Sequence, residues 1–439
     1  MKNINLIVIN FIIITCIISC KLLSEKELNE NEKKETKTKK NHIIYKDSIF
    51  YENIKTVLCK KEDQELSTPI INLNSQEKLL ISFDDLGEEK KEYFFTIIHC
   101  NSNWSKSDLI TSEYIYGFTN EPIIDYEFSF NTIQEYTHYK FEFPNNNMKP
   151  IISGNYILQI YEENKIIAQK RFMVLDSKVN LEAKIRKATL AEDRHTKHEI
   201  DLVIKHPNLL IHDPFNDIKL IIKQNNLEHS AINNLKPLFI KNNELIYDYE
   251  DENTFWGNNE FRHFDITSLR YLSERIKTIE YKNNQNHVFL FQDHKRNLDY
   301  YSIIPDINGN FLIKSKEGWN STIEADYAWV YFSLSADSIT YGDLYIIGEL
   351  SNWRVQEKLK LSFNKQENKY EGRVYLKQGY YNYCYALKDR STKNTDIAFI
   401  EGTHYETKND YYIYLYHRSV GENYDQFIGF LKSSSKELF

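Results

Sequence analysis

His99-Cys100 is the place in this chain where a base and a thiol stand side by side. Nucleophilic catalysis would need them within hydrogen-bond reach. The alternation running from Tyr93 to Ile98 places the pair at a strand end. Neighbours on a strand point to opposite faces, so the two side chains are badly placed to meet. No Gly-rich elbow and no strained-turn serine accompanies them, and a structural role is expected. Carboxylates cluster at Asp84-Asp85 and at Asp248-Tyr249-Glu250-Asp251-Glu252. A glycosidase needs two carboxyls facing each other across about 5–9 Å, which adjacency does not supply. A calcium loop needs spaced ligands and a terminal glutamate in register, and the acidic run lacks both. A solvated acidic loop is expected there, with a weak calcium site as the alternative. The sequence therefore predicts no catalytic residue, no metal and no cofactor.

A more specific element lies near the C-terminus. Gly348-Glu349-Leu350-Ser351-Asn352-Trp353 is followed by Lys377-Gln378-Gly379-Tyr380-Tyr381-Asn382-Tyr383. This resembles the early-set immunoglobulin-like domains found beside starch- and glycogen-active enzymes. The resemblance implies that Asn352-Trp353 is scaffold, a large aromatic packed under a turn. Packing of Trp353 and Trp329 is expected over glycan stacking, because buried aromatics carry much of a small core's stability.

The start of the chain addresses it. Met1-Lys2 gives a basic end, Ile4 to Ile18 a nearly unbroken apolar run, and Ile17-Ile18-Ser19-Cys20 an apolar-apolar-small-Cys ending. That is the plan of a lipoprotein signal peptide over residues 1–19, with Cys20 as the acylated anchor; an ordinary signal peptide is the alternative. Residues 20–44 are dense in Lys and Glu and poor in apolar side chains, so they are expected to form a solvated tether. The other cysteines of the processed chain are Cys59, Cys100 and Cys384. Three cannot all pair and none has metal-ligand spacing. Buried free thiols are expected, with a Cys59–Cys100 bridge as the alternative.

Beyond the tether, period-two alternation dominates and sustained helical periodicity is absent, which predicts an all-β protein. Tyr and Phe are abundant, 32 and 25, and supply many of the strand positions. Strands are expected at Leu79–Phe83, Tyr93–Ile98, Tyr126–Phe130, His138–Phe143, Tyr156–Tyr161 and Ile166–Val174. They continue at Leu181–Ile185, Glu199–Ile204, Ile218–Ile222, Pro237–Tyr249, Arg275–Tyr281 and His287–Phe291, with a helix or irregular segment over Ile266–Leu272. A last series spans Ala328–Leu334, Asp343–Ile347, Lys369–Leu376, Tyr380–Ala386 and Tyr411–Tyr416. Three successive immunoglobulin-like or early-set β-sandwich domains are read at 45–175, 176–324 and 325–430, with a tail at 431–439. The net charge of −8 and the lack of a basic patch exclude a nucleic-acid partner.

Several long aromatic stretches together resemble one family. They are Tyr93–Asn101 with Trp104, Asp125–Thr132 with Tyr136–Tyr139, Ser153-Gly154-Asn155-Tyr156, Lys236–Ile240, Gly257–Asp265 and Glu324–Tyr327. In this order they resemble the plug protein of the bacterial type IX secretion system, a Bacteroidetes family of three β domains. The resemblance implies a non-enzymatic part that closes the periplasmic end of the giant outer-membrane translocon barrel when no substrate is in transit. Barrels of about 36 strands enclose a water-filled lumen that leaks unless obstructed. The implied partner is that barrel, with membrane contact through the lipid anchor and no small-molecule substrate. The implied location is the periplasmic side of the outer membrane. The rival reading is a glycan-binding cell-envelope lipoprotein. Within Gly257–Asp265, Arg262 is expected to be held by a carboxylate in a partly buried pair, with Glu260 and Asp265 close by.

Overall fold

Alternating aromatic and β-branched runs become antiparallel sheet, and their apolar faces meet in pairs. The computed structural model describes residues 45–87, 89–296 and 300–435, which belong to a single unit. The signal peptide 1–19, Cys20 and the tether 20–44 lie outside the described residues. The described chain is all β-sandwich apart from short helical turns such as Ser321–Glu324 and Ala398–Glu401.

In the first sandwich one sheet runs, in spatial order, Ser48–Ile49, Lys165–Leu175, Gly154–Glu162, Tyr93–Cys100 and Glu121–Ile123. Ile54–Lys61, Leu79–Asp85, Thr137–Phe143 and Asp125–Phe128 form the other. Phe83, Tyr139 and Phe143 from the second sheet pack on Tyr93, Phe95, Tyr156 and Phe172 from the first. The Phe83 and Tyr139 rings stack at 5.1 Å and Tyr93 meets Tyr139 edge-on at 4.9 Å. Such pairs add about 0.5–1.5 kcal/mol each beyond the area they bury.

The second sandwich sets Asn180–Lys187, Lys197–Lys205, Glu244–Tyr247 and Phe239–Lys241 against Ile232–Asn233, Ile218–Gln224, Asp410–His417 and Gln426–Ser434. Its core therefore joins Ile200, Leu202 and Tyr247 to Tyr411, Ile413 and Leu415. In the third, the long strand Gly379–Asp389 pairs with Arg262–Asp265, Phe311–Ile313 and Gly342–Ile347. That sheet faces Ile276–Lys282, Gln285–Leu290, Tyr327–Ser335, Lys369–Lys377 and Ser362–Asn364.

The strand readings hold, but the boundaries 176–324 and 325–430 do not follow the sheets. Strands from Arg262–Asp265 to Phe311–Ile313 belong to the third sandwich, and Asp410–His417 and Gln426–Ser434 return to the second. The third sandwich is thus inserted into the second. Periodicity reports that a segment is a strand and which face is apolar; it carries no information on which distant strand is its neighbour. Likewise, Ile266–Leu272 is irregular rather than helical, Pro237–Tyr249 is a hairpin with a turn at Asn242-Asn243, and strand structure reaches Ser434 inside the expected tail.

Asp410–His417 shows why a strand can carry large apolar side chains in both parities. Tyr411, Ile413 and Leu415 enter the second core, while Tyr412, Tyr414 and Tyr416 pack with Ile70 and Met173 of the first sandwich. All eight residues are buried. A sheet covered on both faces needs apolar side chains in both parities.

Candidate functional site at the sandwich junctions

His99 and Cys100 sit at the end of Tyr93–Cys100, both fully buried. Their side chains do not bond each other. His99 Nδ1 meets Ser107 Oγ at 2.9 Å, and Nε2 lies 3.3 Å from the Ser153 carbonyl. Burial pushes the imidazole down to about 4, with the Ser153 carbonyl and Asp425 opposing. The Cys100 thiol is pushed up to about 12, again mainly by burial. A thiol that resists ionisation beside an imidazole that resists protonation, both out of solvent, has no route to substrate. Gly154 explains its place in the Ser153-Gly154-Asn155 stretch. A Cβ there would lie 2.2 Å from His99 Nε2, and its φ of +149° suits glycine. Cys59, Cys100 and Cys384 are all free and buried, so the alternative Cys59–Cys100 bridge is not formed.

Asp84 and Asp85 are both buried, and they do different work. Asp85 stays within the first sandwich, accepting from Tyr93 Oη at 2.8 Å and the Gly87 amide at 2.9 Å. Asp84 points the other way, into the third sandwich. Lys377 Nζ and Tyr327 Oη each lie 2.6 Å from Asp84 Oδ2, and His138 Nδ1 lies 2.6 Å from Oδ1. Burial alone would raise the Asp84 carboxyl, but the Lys377 ammonium and His138 hold it below the usual carboxylate range. Lys377 also donates to the Thr322 carbonyl at 2.7 Å and lies 4.1 Å over the Tyr136 ring. Asp326 caps the same junction, accepting the Ile133 and Gln134 amides at 2.8 and 3.0 Å.

The first and second sandwiches are tied through Asp425. It accepts the Ser102 amide and hydroxyl at 2.9 and 2.7 Å, Lys219 at 2.7 Å and Arg418 at 2.7 Å. Asn155 adds a bond from Tyr416 Oη at 2.8 Å.

All three sandwiches meet at a cavity of about 130 Å³. The Gly348–Trp353 turn forms one wall, and Trp104, Lys170 and Arg171 form another. The turn folds tightly because Asn352 and Trp353 both adopt left-handed φ, 50° and 60°. Trp353 packs edge-on against Phe261 at 6.5 Å, over Gly309, where a Cβ would approach both rings to within 2.8 Å. Trp329 is covered by Tyr375 and by the Arg373 guanidinium 4.5 Å from its ring. Arg171 lies 4.4 Å from the Trp104 ring.

The acidic loop is partly recruited. Glu199, Asp201 and Asp248 bring carboxylate oxygens within 4.8 Å of one another, the one such grouping able to hold a metal among the described residues. Arg186 already occupies it, at 2.6, 3.1 and 3.3 Å from the three. Burial, opposed by Arg186, raises Asp201 to about 6. Arg262 is buried and paired, yet with distant residues rather than its sequence neighbours. Glu401 takes its Nε with both oxygens at 3.0 Å and Asp293 takes Nη1 at 2.8 Å. Glu260 instead accepts Tyr301 and the Lys408 amide, and Asp265 accepts the Thr267 amide at 2.8 Å.

Residues 54–176 match the family model described as the type 9 secretion system plug protein first domain. The chain belongs to the plug protein family. The matched span ends one residue past the last strand of the first sandwich, Lys165–Leu175. A crystal structure of a hypothetical protein from Parabacteroides merdae is 32% identical, with a TM-score of 0.87. The similarity covers 90% of this chain and all of that one. No curated protein matches. Plug-family membership assigns the chain to the type 9 secretion machinery and so to the cell envelope.

Lys377, Asp425, Arg171 and Trp104 are where sequence reasoning fell short. Lys377 and Gln378 do interrupt two aromatic strands, a visible signal, but only the third sandwich's position against the first makes Lys377 a buried partner.

Proposed function

We propose that this plug-family chain is a non-enzymatic stopper that closes the periplasmic end of the giant secretion barrel when no substrate is in transit. The observation that carries this reading is the interlocked junction. The sandwiches are joined through buried carboxylates as well as by their linkers: Asp84 reaches Lys377 of the third, and Asp425 of the second, neutralised there by Lys219 and Arg418, accepts from Ser102 of the first. Domains of one chain are expected to move unless their interface is extensive. A stopper has to resist being pushed or threaded through a wide lumen, and a locked β body meets that demand. The sealing of His99 and Cys100 and the capture of the acidic cluster by Arg186 support a passive role. Acylation at Cys20 would hold the stopper near its barrel, raising its effective concentration there without a tight contact.

The experiment is gene deletion with large, normally excluded antibiotics as probes. Sensitisation that disappears when the barrel gene is also removed is expected. Unchanged permeability with defective glycan uptake would replace this reading with that of a glycan-binding envelope lipoprotein.

A further inference from the structure

The cavity where the sandwiches meet carries more positive than negative charge. Its walls include five cations (Lys46, Lys170, Arg171, Lys223, Arg354) and three carboxylates (Asp47, Glu228, Glu349). The carboxylates are already engaged. Asp47 lies 2.7 Å from Lys170, Glu349 turns to Lys60 at 3.7 Å, and Glu228 is shared between Arg171 and Lys223. Arg354 is left over. It donates to the Asp47 carbonyl and weakly to Ser48 Oγ at 3.4 Å, and it has no ion pair among the described residues. Its Nε is buried without any hydrogen-bond partner. Burial lowers the pKa values of both Arg354 and Lys223 from their ordinary values, as expected for under-compensated cations.

Arg354 is half-buried, and the carboxylates that act on its charge, Asp47 and Glu228, are paired with Lys170, Arg171 and Lys223. Its charge is therefore under-compensated, which is costly, and its buried Nε without an acceptor adds to that cost. A water molecule could satisfy the donor but not the charge. We infer that this cavity is an oxyanion site, taking one phosphate-class group, inorganic or as an exposed monoester, between Arg354, Lys170 and Lys223. The guanidinium supplies directional donors and the ammonium groups supply point charge, the usual division of labour at phosphate sites. The ligands come one from each sandwich, since Lys170 lies on Lys165–Leu175, Lys223 on Ile218–Gln224, and Arg354 follows the Gly348–Trp353 turn. A bound anion would therefore clamp the junction itself. The site does not depend on the stopper reading.

The test is thermal unfolding of the full chain in inorganic phosphate against chloride at matched ionic strength and pH, with a ³¹P titration of the same protein. Glycerol phosphate serves as the headgroup-like arm. Phosphate should raise the midpoint saturably, with a dissociation constant below about 1 mM. Arg354→Gln and Lys223→Met should each lose that response, while Lys78→Gln, in an exposed pair, should keep it. A response to inorganic phosphate alone would assign the site to the free ion, and one to both would admit a headgroup. A non-saturating rise of equal size in all variants is the general salting effect of phosphate and would overturn the inference. Should the variants fail to fold, absence of saturable ³¹P binding to the wild type would overturn it as well.

Discussion

Asp84 Oδ2 and Lys377 Nζ lie 2.6 Å apart across the junction of the first and third sandwiches, although they are 293 positions apart in the chain. Their side chains are 1% and 2% exposed, so each is the other's principal counter-charge in a region water does not reach. Removing one partner of such a pair typically costs about 3–5 kcal/mol, because the survivor stays buried and uncompensated. Lys377→Met is expected to show that loss in urea unfolding. Asp84→Asn with Lys377→Met should recover much of it, and a double-mutant cycle reports the coupling.

His99 sets an acid limit. Its folded pKa is depressed to about 4 from 6.5, so the unfolded chain binds the proton first. Stability attributable to this group is complete above pH 6.5 and declines as pH falls toward 4, by roughly 3 kcal/mol at most. His99→Gln should flatten the pH dependence of the unfolding free energy in that window, whatever it does to the absolute value. Asp84 acts below that window: with its folded carboxyl held below the ordinary value, its contribution is complete above that value and is lost as the pH falls from there toward the lowered one.

Gly154→Ala should be among the most destabilising single changes, since the new Cβ would overlap His99 Nε2 at 2.2 Å and the backbone resists a side chain there. Differential scanning calorimetry of Gly154→Ala and of Gly154→Ala with His99→Ala separates the two causes. Partial recovery in the double variant marks the steric share, and what remains marks backbone strain.

Insertion of the third sandwich into the second predicts an unusual response to truncation. A stop codon after Gly402 would remove Tyr411, Ile413, Leu415 and Ile428 from the second core and leave Ile218–Gln224 with only the short Ile232–Asn233 beside it. Limited proteolysis should then cut first within 180–256 and spare the first sandwich.

Much of this was legible in the sequence because strand identity is local. Tyr93–Cys100 or Lys369–Lys377 alternates visibly, and the expected packing of Trp353 follows from its turn. Partnership is not local. Arg262 was readable as a buried, carboxylate-held guanidinium, but Glu401 and Asp293 lie 139 and 31 residues away and nothing in the spacing nominates them. Asp84 and Asp85 look alike as neighbours, and alternation sends them to opposite faces. The third sandwich, covering what would otherwise be a solvent face, gives Asp84 its buried Lys377 partner, whereas Asp85 pairs with Lys91 inside the first sandwich. The return of Asp410–His417 to the second sandwich was hidden for the same reason: Tyr411–Tyr416 reads as a strand, but nothing in it names Ile218–Gln224 as its neighbour.

The anchor is tested by Cys20→Ala, which should release the protein from membranes or leave it unprocessed. Metabolic labelling with fatty acid reads it directly, and label retained by the variant contradicts acylation at that residue.

The measurement closest to the central claim is uptake of a large, normally excluded antibiotic in four strains: wild type, plug deletion, barrel deletion and the double deletion. The stopper account predicts entry in the plug deletion alone, with the double deletion as tight as wild type, because without the barrel there is no pore to close. Leakage in the double deletion equal to that of the plug deletion, or none in either, would contradict it.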